Sequence, residues 1–335
     1  KGVRAEFLTQ VESLSAACPE LGKSTPRLSW CHEGSRLRQA ARGAAVPLPG
    51  ADCLPSAAWA LQRISEIRVC ICPALRELPS QVGSCLGLKM LILISDALTE
   101  LPAEIGELEH LEHVFLNGNF LRRLPVALGA LPRLRELCLD ANLLEELPPV
   151  TGDRLELLSA PANRLVELPQ VSGSPARLEV HGNRLARLAL GVGSVRWDRL
   201  LTFKAMGNQL VELPAAVKGL HSLRAFNVAE NRLKQLPAGL GQLRRLEWLF
   251  AYSNHLAELP AGVLGGPSLE RALFEANPLS ASAVRALLEE ASRTCARTVG
   301  LDEEQMGRAR KAGPASAEAA PACVSVGSVL PVEGV

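Results

Sequence analysis

An excess of one charge sign is missing from this sequence: 36 Lys and Arg residues are balanced by 35 Asp and Glu residues, for a formal net charge of +1. A surface that follows nucleic-acid phosphates needs a clear basic excess, so we expect no nucleic-acid partner.

Long hydrophobic runs are missing too. The densest, Met90–Ile94, is far shorter than the ~20 apolar residues that cross a bilayer, so we expect no membrane insertion.

Paired cysteines are also lacking. Nine Cys residues are spread between Cys18 and Cys323, an odd number without the clustering of a disulfide-stabilised secreted domain. Residues 1–17 lack the apolar segment typical of a secretory signal. We therefore expect a reducing, cytoplasmic environment. The one close pair, Cys70 and Cys72, has no second pair at zinc-finger spacing, so no metal is expected.

Catalytic motifs are absent from the chain. It has no phosphate-binding Gly-rich loop with its Lys, no Gly-x-Ser-x-Gly elbow, no kinase catalytic sequence and no His-Glu-x-x-His pair. His110 and His113 flank Leu111 in a strand-like segment and are interpreted as surface histidines. We predict that the chain is not an enzyme, has no catalytic residues and needs no cofactor.

What the sequence does contain is a repeat. Aromatic residues make up 4% and hydrophobic residues 47%, which favours an aliphatic core in regular layers. The pattern Leu-x-x-Leu-x-Leu-x-x-Asn-x-Leu-x-x-Leu-Pro recurs most clearly at 111–125, 134–148, 223–237 and 246–260. Its marker position, about 23 residues apart, predicts about ten repeats over residues 64–280. After Asp96, the markers are Asn119, Asn142, Asn163, Asn183, Asn208, Asn231, Asn254 and Asn277.

Each part of the repeat has a physical role. The Leu-x-Leu alternation predicts a short strand with its leucines inward, and stacked strands form a parallel sheet. The Asn amide can donate to and accept from backbone groups of adjacent turns, which predicts a structural ladder. The Leu-Pro step starts the return segment. The fold class is thus an α/β-type solenoid: an arc with a concave parallel sheet, short helical or extended convex segments, and helical caps.

This pattern resembles the leucine-rich repeat family. Segments such as Pro102–Leu108 resemble its Leu-Pro-x-x-Ile-x-x-Leu type, which is similar to intracellular Ras-group-related and scribble-like repeat scaffolds. The resemblance implies a protein-binding scaffold in the cytoplasm. A small GTPase is a partner that follows from the resemblance only.

The flanks divide the chain further. Residues 1–54 form an N-terminal flank that is not in phase with the repeats, and residues 55–63 predict a cap helix. After the repeats, residues 281–297 predict a C-terminal cap helix. Residues 298–335 are poor in Leu and rich in Ala, Gly, Pro and Ser, which favours a disordered tail. The longest repeat carries an insertion whose Trp197 is interpreted as covering the core rather than as a second binding point.

The alternation also identifies the residues of the concave face. The strand at Leu249 holds the only Tyr of the chain and one of its four Trp residues. Aromatic side chains beside an amide and charges are typical of protein-binding surfaces. A flank that covers the rings, or a register shift of one residue, would instead place them in a core, but Leu249 keeps its phase with its repeat. The candidate partner-binding residues are Trp248, Phe250, Tyr252, Asn227, Arg271 and Phe115.

These observations predict an interaction module, an intracellular scaffold or adaptor that binds another protein on its concave face in signal transduction. An alternative is the sensor or regulatory region of a larger enzyme, such as a kinase. The chain begins with Lys1 rather than Met, which keeps that alternative open. A secreted recognition module is disfavoured because paired cysteine caps are missing.

Overall fold

The computed structural model describes residues 65–70, 75–188, 197–294, 298–311 and 324–326, together with the backbone of residues 27–31. The chain divides into two compact units, Lys1–Arg164 with Pro169–Gly173 and Leu165–Leu168 with Ser174–Val335. In each unit short strands pair in parallel in chain order. Among the described helices, none combines the length and apolar character needed to cross a bilayer.

Six strands lie among the described residues of the first unit. They are β1 (Arg27–Cys31), β2 (Glu66–Cys70), β3 (Met90–Ile94), β4 (His113–Phe115), β5 (Glu136–Cys138) and β6 (Leu157–Ser159). One inward residue of each repeat lies in register with the next, as Leu91 does with Val114 and Val114 with Leu137. These side chains are at most 1% exposed, so the sheet and the aliphatic core form together.

In the second unit, the part of the chain that the structure describes holds seven strands. They are β7 (Arg177–Glu179), β8 (Thr202–Lys204), β9 (Ala225–Asn227), β10 (Trp248–Phe250), β11 (Arg271–Leu273), β12 (Thr298–Leu301) and β13 (Val324–Val326). Its core includes aromatic rings. Phe203 stacks on Phe226 with centroids 5.7 Å apart, and Trp197 meets Phe203 edge-on at 6.5 Å. Trp197 is buried and covers the core, as interpreted from the sequence.

The return segments follow the repeat length. After Pro102 the chain forms a 3-10 turn at Ala103–Glu107, and Ile105 and Leu108 are fully buried. Where the repeat is shorter the return is extended, and Val150 forms a parallel bridge with Val171. The other short helices are α1 (Val126–Gly129) and the 3-10 turns Ser80–Ser84, Ala215–Gly219 and Leu240–Gln242. The predicted α/β solenoid is confirmed.

An asparagine ladder joins successive repeats within each unit. In Asn142, Nδ2 donates to the carbonyl oxygens of Leu116 and Leu139, both at 2.9 Å. Its Oδ1 accepts a hydrogen bond from the Leu121 backbone N–H at 3.1 Å. One amide thus satisfies buried backbone groups of its own repeat and of the preceding one. The same arrangement recurs in other repeats, where the side chains are 3–7% exposed: Asn119, Asn163, Asn208, Asn231, Asn254 and Asn277. Asn183 accepts a hydrogen bond from the preceding repeat and donates one within its own repeat.

The segment after the repeats continues the second unit instead of ending it. Helix α2 (Ala281–Ala291) begins after Ser280, whose hydroxyl oxygen accepts a hydrogen bond from Ala283 N at 3.0 Å. Strand β12 then pairs in parallel with β11. The helix predicted over 281–297 is present at Ala281–Ala291, but it is not a terminal cap, because it is the return segment before strand β12.

The prediction of a disordered tail over 298–335 is also wrong where the structure describes that segment. Strand β12 is followed by helix α3 (Glu303–Lys311), and β13 pairs in parallel with β12. The buried pair of β12 is Val299 and Leu301 with Gly300 between them, so its strand lacks the Leu-x-Leu pattern. A Leu-poor repeat still packs because the preceding repeats present a complete template.

At this additional repeat a glutamine makes the backbone hydrogen bonds that an asparagine makes in the other repeats. Gln305 is 1% exposed, and its Nε2 donates to the carbonyl oxygens of Phe274 at 2.9 Å and Asn277 at 3.0 Å. Gln305 and Asp302 also form a reciprocal capping box at the start of α3. The ladder is therefore extended by a side chain that belongs to a helix.

The N-terminal flank contains at least one element of the same sheet. Strand β1 lies within the predicted flank of residues 1–54 and pairs in parallel with β2, with Leu28 opposite Ile67. The cap helix predicted at 55–63 lies outside the described residues.

We expect Asn142→Ala to lower the free energy of unfolding by at least about 2 kcal/mol, because it leaves several buried backbone groups without partners. Asp96→Ala should be less destabilising, since an ionised Asp cannot donate. Denaturant unfolding of the two variants measures the difference. Equal losses would show that the donor side of the ladder contributes little.

Candidate protein-binding surface

The open face of the sheet, the side that points away from the leucine core, carries the predicted partner-binding residues. In the second unit Trp248, Tyr252 and Asn227 are half-buried and Arg271 is exposed. In the first unit Phe115 is half-buried. Trp248, Asn227 and Arg271 lie on three adjacent strands, and Trp248 is paired in register with Arg271.

Phe250 does not fit its predicted role as an accessible contact residue. It is 3% exposed and lies in register between Asn227 and Leu273. Adjacent strands are only about 4.8 Å apart, so a ring flanked by side chains on both sides becomes enclosed without leaving the open face. The register has not shifted, because Leu249 is fully buried. Phe250 therefore packs between side chains of the open face.

Tyr252 is held in place by contacts along the sheet. Its hydroxyl donates to Met206 Sδ at 3.4 Å, across the intervening repeat, where Ala229 is fully buried. The Asn227 Nδ2 donates to the same sulfur at 3.8 Å, and Asn227 Oδ1 accepts from Ala229 N at 3.1 Å. These contacts fix the direction of the Tyr ring before any partner binds.

Glu275 is an open-face residue that was not among the predicted site residues. It is 7% exposed, and its Oε2 has no hydrogen-bond partner among the described residues. A Cβ added at Gly300 would collide with Glu275 Oε1 and lie 2.7 Å from Leu273 Cδ2, so the carboxylate lies over a position that has no side chain. The sequence did not indicate that Glu275 is special, because the strand that contains Gly300 was not predicted.

Burial and nearby carboxylates shift the pKa values of Glu275 and Tyr252. Burial raises the pKa of the Glu275 carboxyl; a hydrogen bond from its own backbone N–H lowers it, and nearby Asp302 raises it further. Burial also raises the pKa of the Tyr252 hydroxyl, with further contributions from Glu230 and Glu275. Tyr252 therefore stays a neutral hydrogen-bond donor at physiological pH.

Elsewhere on the open face, charged side chains pair with one another. In the first unit His113 Nδ1 lies 3.1 Å from Glu136 Oε2, and Arg135 lies 3.0 Å from Glu156. In the second unit Lys204 lies 3.6 Å from Glu179. Such partly exposed pairs contribute little to stability. Within the part of the chain that the structure describes, no group of three or more His, Cys, Asp or Glu side chains can hold a metal ion.

Solved structures with a similar fold are leucine-rich repeat proteins. One from Bacteroides eggerthii has a TM-score of 0.56 and 16% identity over 76% of this chain and 52% of its own. The functional domain of InlJ from Listeria monocytogenes, which includes a cysteine ladder, has a TM-score of 0.52 and 23% identity over 67% of this chain and 46% of its own. The internalin InlF from the same species has a TM-score of 0.50 and 15% identity over 73% of this chain and 76% of its own.

These likenesses show that the chain has the leucine-rich repeat fold. In two of the three comparisons it spans only about half the length of the solved chain, 52% and 46%. Neither a protein-family model nor a curated protein matches the sequence.

We expect Phe250→Ser to lower the free energy of unfolding by about 3 kcal/mol, because it removes an enclosed ring and leaves a cavity. Trp248→Ser, at a half-buried position, should cost less than about 1.5 kcal/mol. Circular dichroism melts measure both, with the core variant Leu249→Ser as the reference for repeat unfolding. If Trp248→Ser melts as early as Leu249→Ser, Trp248 belongs to the core.

We expect Glu275→Gln to stabilise the fold in a pH-dependent way. A folded-state pKa above the unfolded one means that wild-type stability is lost as pH rises through the raised pKa. The melting temperature of Glu275→Gln relative to wild type should therefore be higher at about pH 7 than at about pH 4. The exposed Glu212→Gln should show no such trend. A constant difference would contradict the burial of a charged carboxylate.

Proposed function

We propose that this chain is a protein-interaction module that binds another protein on the open face of its second unit. The observation that carries the proposal is the half-buried Trp248, held on β10 beside the exposed Arg271 of β11. Trp, Tyr and Arg are the residue types that contribute most to binding energy at protein interfaces.

Preorganisation supports the same surface. The Tyr252 hydroxyl is tethered to Met206, so the ring does not have to be ordered when a partner binds. The strands beneath are fixed by the asparagine ladder, which makes this face a rigid platform. A rigid surface with aromatic and charged residues suits a folded or extended protein partner.

We further propose a non-enzymatic scaffold or adaptor in signal transduction, located in the cytoplasm. The odd number of scattered cysteines supports a reducing environment. Burial raises the pKa of the Cys85 thiol to about 11, which keeps it unreactive. A small GTPase, suggested by the resemblance of the repeats, is one partner to include in the binding assay.

Cross-linking from the native source tests this proposal. The full chain, Trp248→Ser and the control Val211→Ser are each incubated with lysate, and cross-linked proteins are quantified by mass spectrometry. Val211 is an apolar residue that is 46% exposed outside the strands. A specific partner should be reduced at least ~30-fold by Trp248→Ser, which corresponds to about 2 kcal/mol. Val211→Ser should retain it.

A partner that both variants retain equally would place the binding surface elsewhere. Loss with both variants while both melting temperatures stay at the wild-type value would show that binding does not depend specifically on Trp248. Either result contradicts a binding surface centred on Trp248.

A further inference from the structure

Five open-face residues of the second unit lie side by side in one row across five strands. Arg177 of β7 is in register with Thr202, and Thr202 is in register with Ala225. Ala225 is in register with Trp248, and Trp248 with Arg271 of β11. Each is the first residue of its strand, so we call this set the first row. Adjacent strands are about 4.8 Å apart, which places the backbones of Arg177 and Arg271 about 19 Å from each other.

The two ends of the first row are arginines without an ionic partner. Arg177 and Arg271 are exposed, and neither belongs to an ion pair within the residues that the structure describes. Arg224, which precedes Ala225, is already paired with Glu247 at 3.5 Å. The two terminal guanidinium groups are therefore available to anionic groups of another molecule.

The charges of this sheet are separated along the strand direction. Parallel strands all begin at one edge of a sheet and end at the other. Among the first residues of strands β7–β11 and the residues directly before them, arginines outnumber carboxylates: Arg177, Arg224 and Arg271 against Glu247 and Glu270. In the three residues that follow strands β9–β12 the charged side chains are all acidic, and they include Glu230, Glu275 and Asp302. An anionic segment is therefore attracted to the first row and repelled from the opposite edge.

The middle of the first row offers a place for an apolar side chain. Thr202 and Ala225 have short side chains, so the surface is low between Arg177 and the half-buried Trp248. Leu201, directly before Thr202, adds an apolar side chain that is 37% exposed, and its carbonyl oxygen accepts a hydrogen bond from Ala225 N at 3.0 Å. An apolar side chain from a partner can therefore pack between the Trp248 ring and Ala225.

We propose that the first row binds an extended acidic segment of the protein partner. This inference rests on the proposed function and names the chemistry that the partner presents. One carboxylate of the segment pairs with Arg271, an apolar side chain packs beside Trp248, and a second carboxylate pairs with Arg177.

The dimensions of an extended chain match those of the first row. Such a chain rises about 3.3 Å per residue, and every second side chain lies on the same face. The sixth residue after the first carboxylate is thus about 20 Å away, close to the ~19 Å that separates Arg271 from Arg177. The second residue lies about 7 Å along, between Trp248 at ~5 Å and Ala225 at ~10 Å from Arg271. The expected motif is acidic-x-apolar-x-x-x-acidic, read in either chain direction.

An extended segment with two carboxylates fits better than a phosphate group or a helix. A single phosphate is bound by donors that converge on it, whereas Arg177 and Arg271 are too far apart to hold one together. Each exposed guanidinium instead suits one planar carboxylate. An α-helix rises only about 1.5 Å per residue and would need about 13 residues to span the same distance.

Peptide selection tests the proposal with a defined probe. A random dodecapeptide phage library is selected against the full chain, and the selected peptides are synthesised with each acidic residue and with its neutral amide counterpart. Affinities are measured by fluorescence anisotropy for wild type, Arg177→Gln, Arg271→Gln, Arg271→Glu and Trp248→Ser. The control is Arg232→Gln, an exposed arginine that lies outside the strands, after the ladder residue Asn231. Melting temperatures of all variants are recorded.

The expected result is enrichment of two acidic residues six positions apart, with an apolar residue two positions from one of them. Arg177→Gln, Arg271→Gln and each amide substitution in the peptide should weaken binding about fivefold, and Arg232→Gln less than twofold. Arg271→Glu should bind a peptide with Lys at the matching position better than the acidic peptide, which a merely structural role of Arg271 would not produce. If a protein variant fails to fold, the amide peptides still test the two carboxylates against wild type.

Three outcomes would overturn the inference. A selection that yields no binding peptide, or only peptides without acidic enrichment, would refute the acidic segment. Peptides that lose affinity with Trp248→Ser, but not with Arg177→Gln, Arg271→Gln or the amide substitutions, would refute it while supporting the proposed function. Peptides that tolerate Trp248→Ser would refute the acidic segment and the proposed binding surface together.

Discussion

The asparagine ladder is the interaction on which the rest of this structure depends. Each turn after a strand leaves buried backbone groups that no neighbouring strand can satisfy, and one amide such as that of Asn142 satisfies groups in two successive repeats. The spacing of the turns, and therefore of the strands, is set by this contact. Leucines fill the space behind the strands, but their non-directional packing alone would allow the repeats to slide.

Complementary side-chain volumes keep the strands in register where the leucines are replaced. Phe203 is followed two residues later by the small Ala205, whereas Ala272 is followed two residues later by Phe274, and all four side chains are fully buried. A large residue at one inward position is thus balanced by a small one at the next, which maintains the packing density of the core. On the open face Tyr252 reaches across the fully buried Ala229 to Met206.

Much of the fold and part of the candidate surface could be predicted from the residues. The Asn markers and the Leu-x-Leu alternation located the strands, and the phase of Leu249 placed Trp248 and Tyr252 on the open face. The accessibility of Phe250 could not be predicted, because it depends on how closely Asn227 and Leu273 approach from both sides. The strand at Thr298–Leu301 was missed because its burial comes from the preceding repeat rather than from its own composition.

The sequence by itself determined the repeat length, the inward and outward residues and the turn chemistry, because each is a local property of a periodic pattern. Only the tertiary structure decided which outward residues are accessible. Glu275 is buried, and its Oε2 has no hydrogen-bond partner among the described residues, because its carboxylate lies over Gly300 of the next strand. Gln305 completes the ladder for the same reason: contacts between adjacent strands join residues whose relation no local pattern contains.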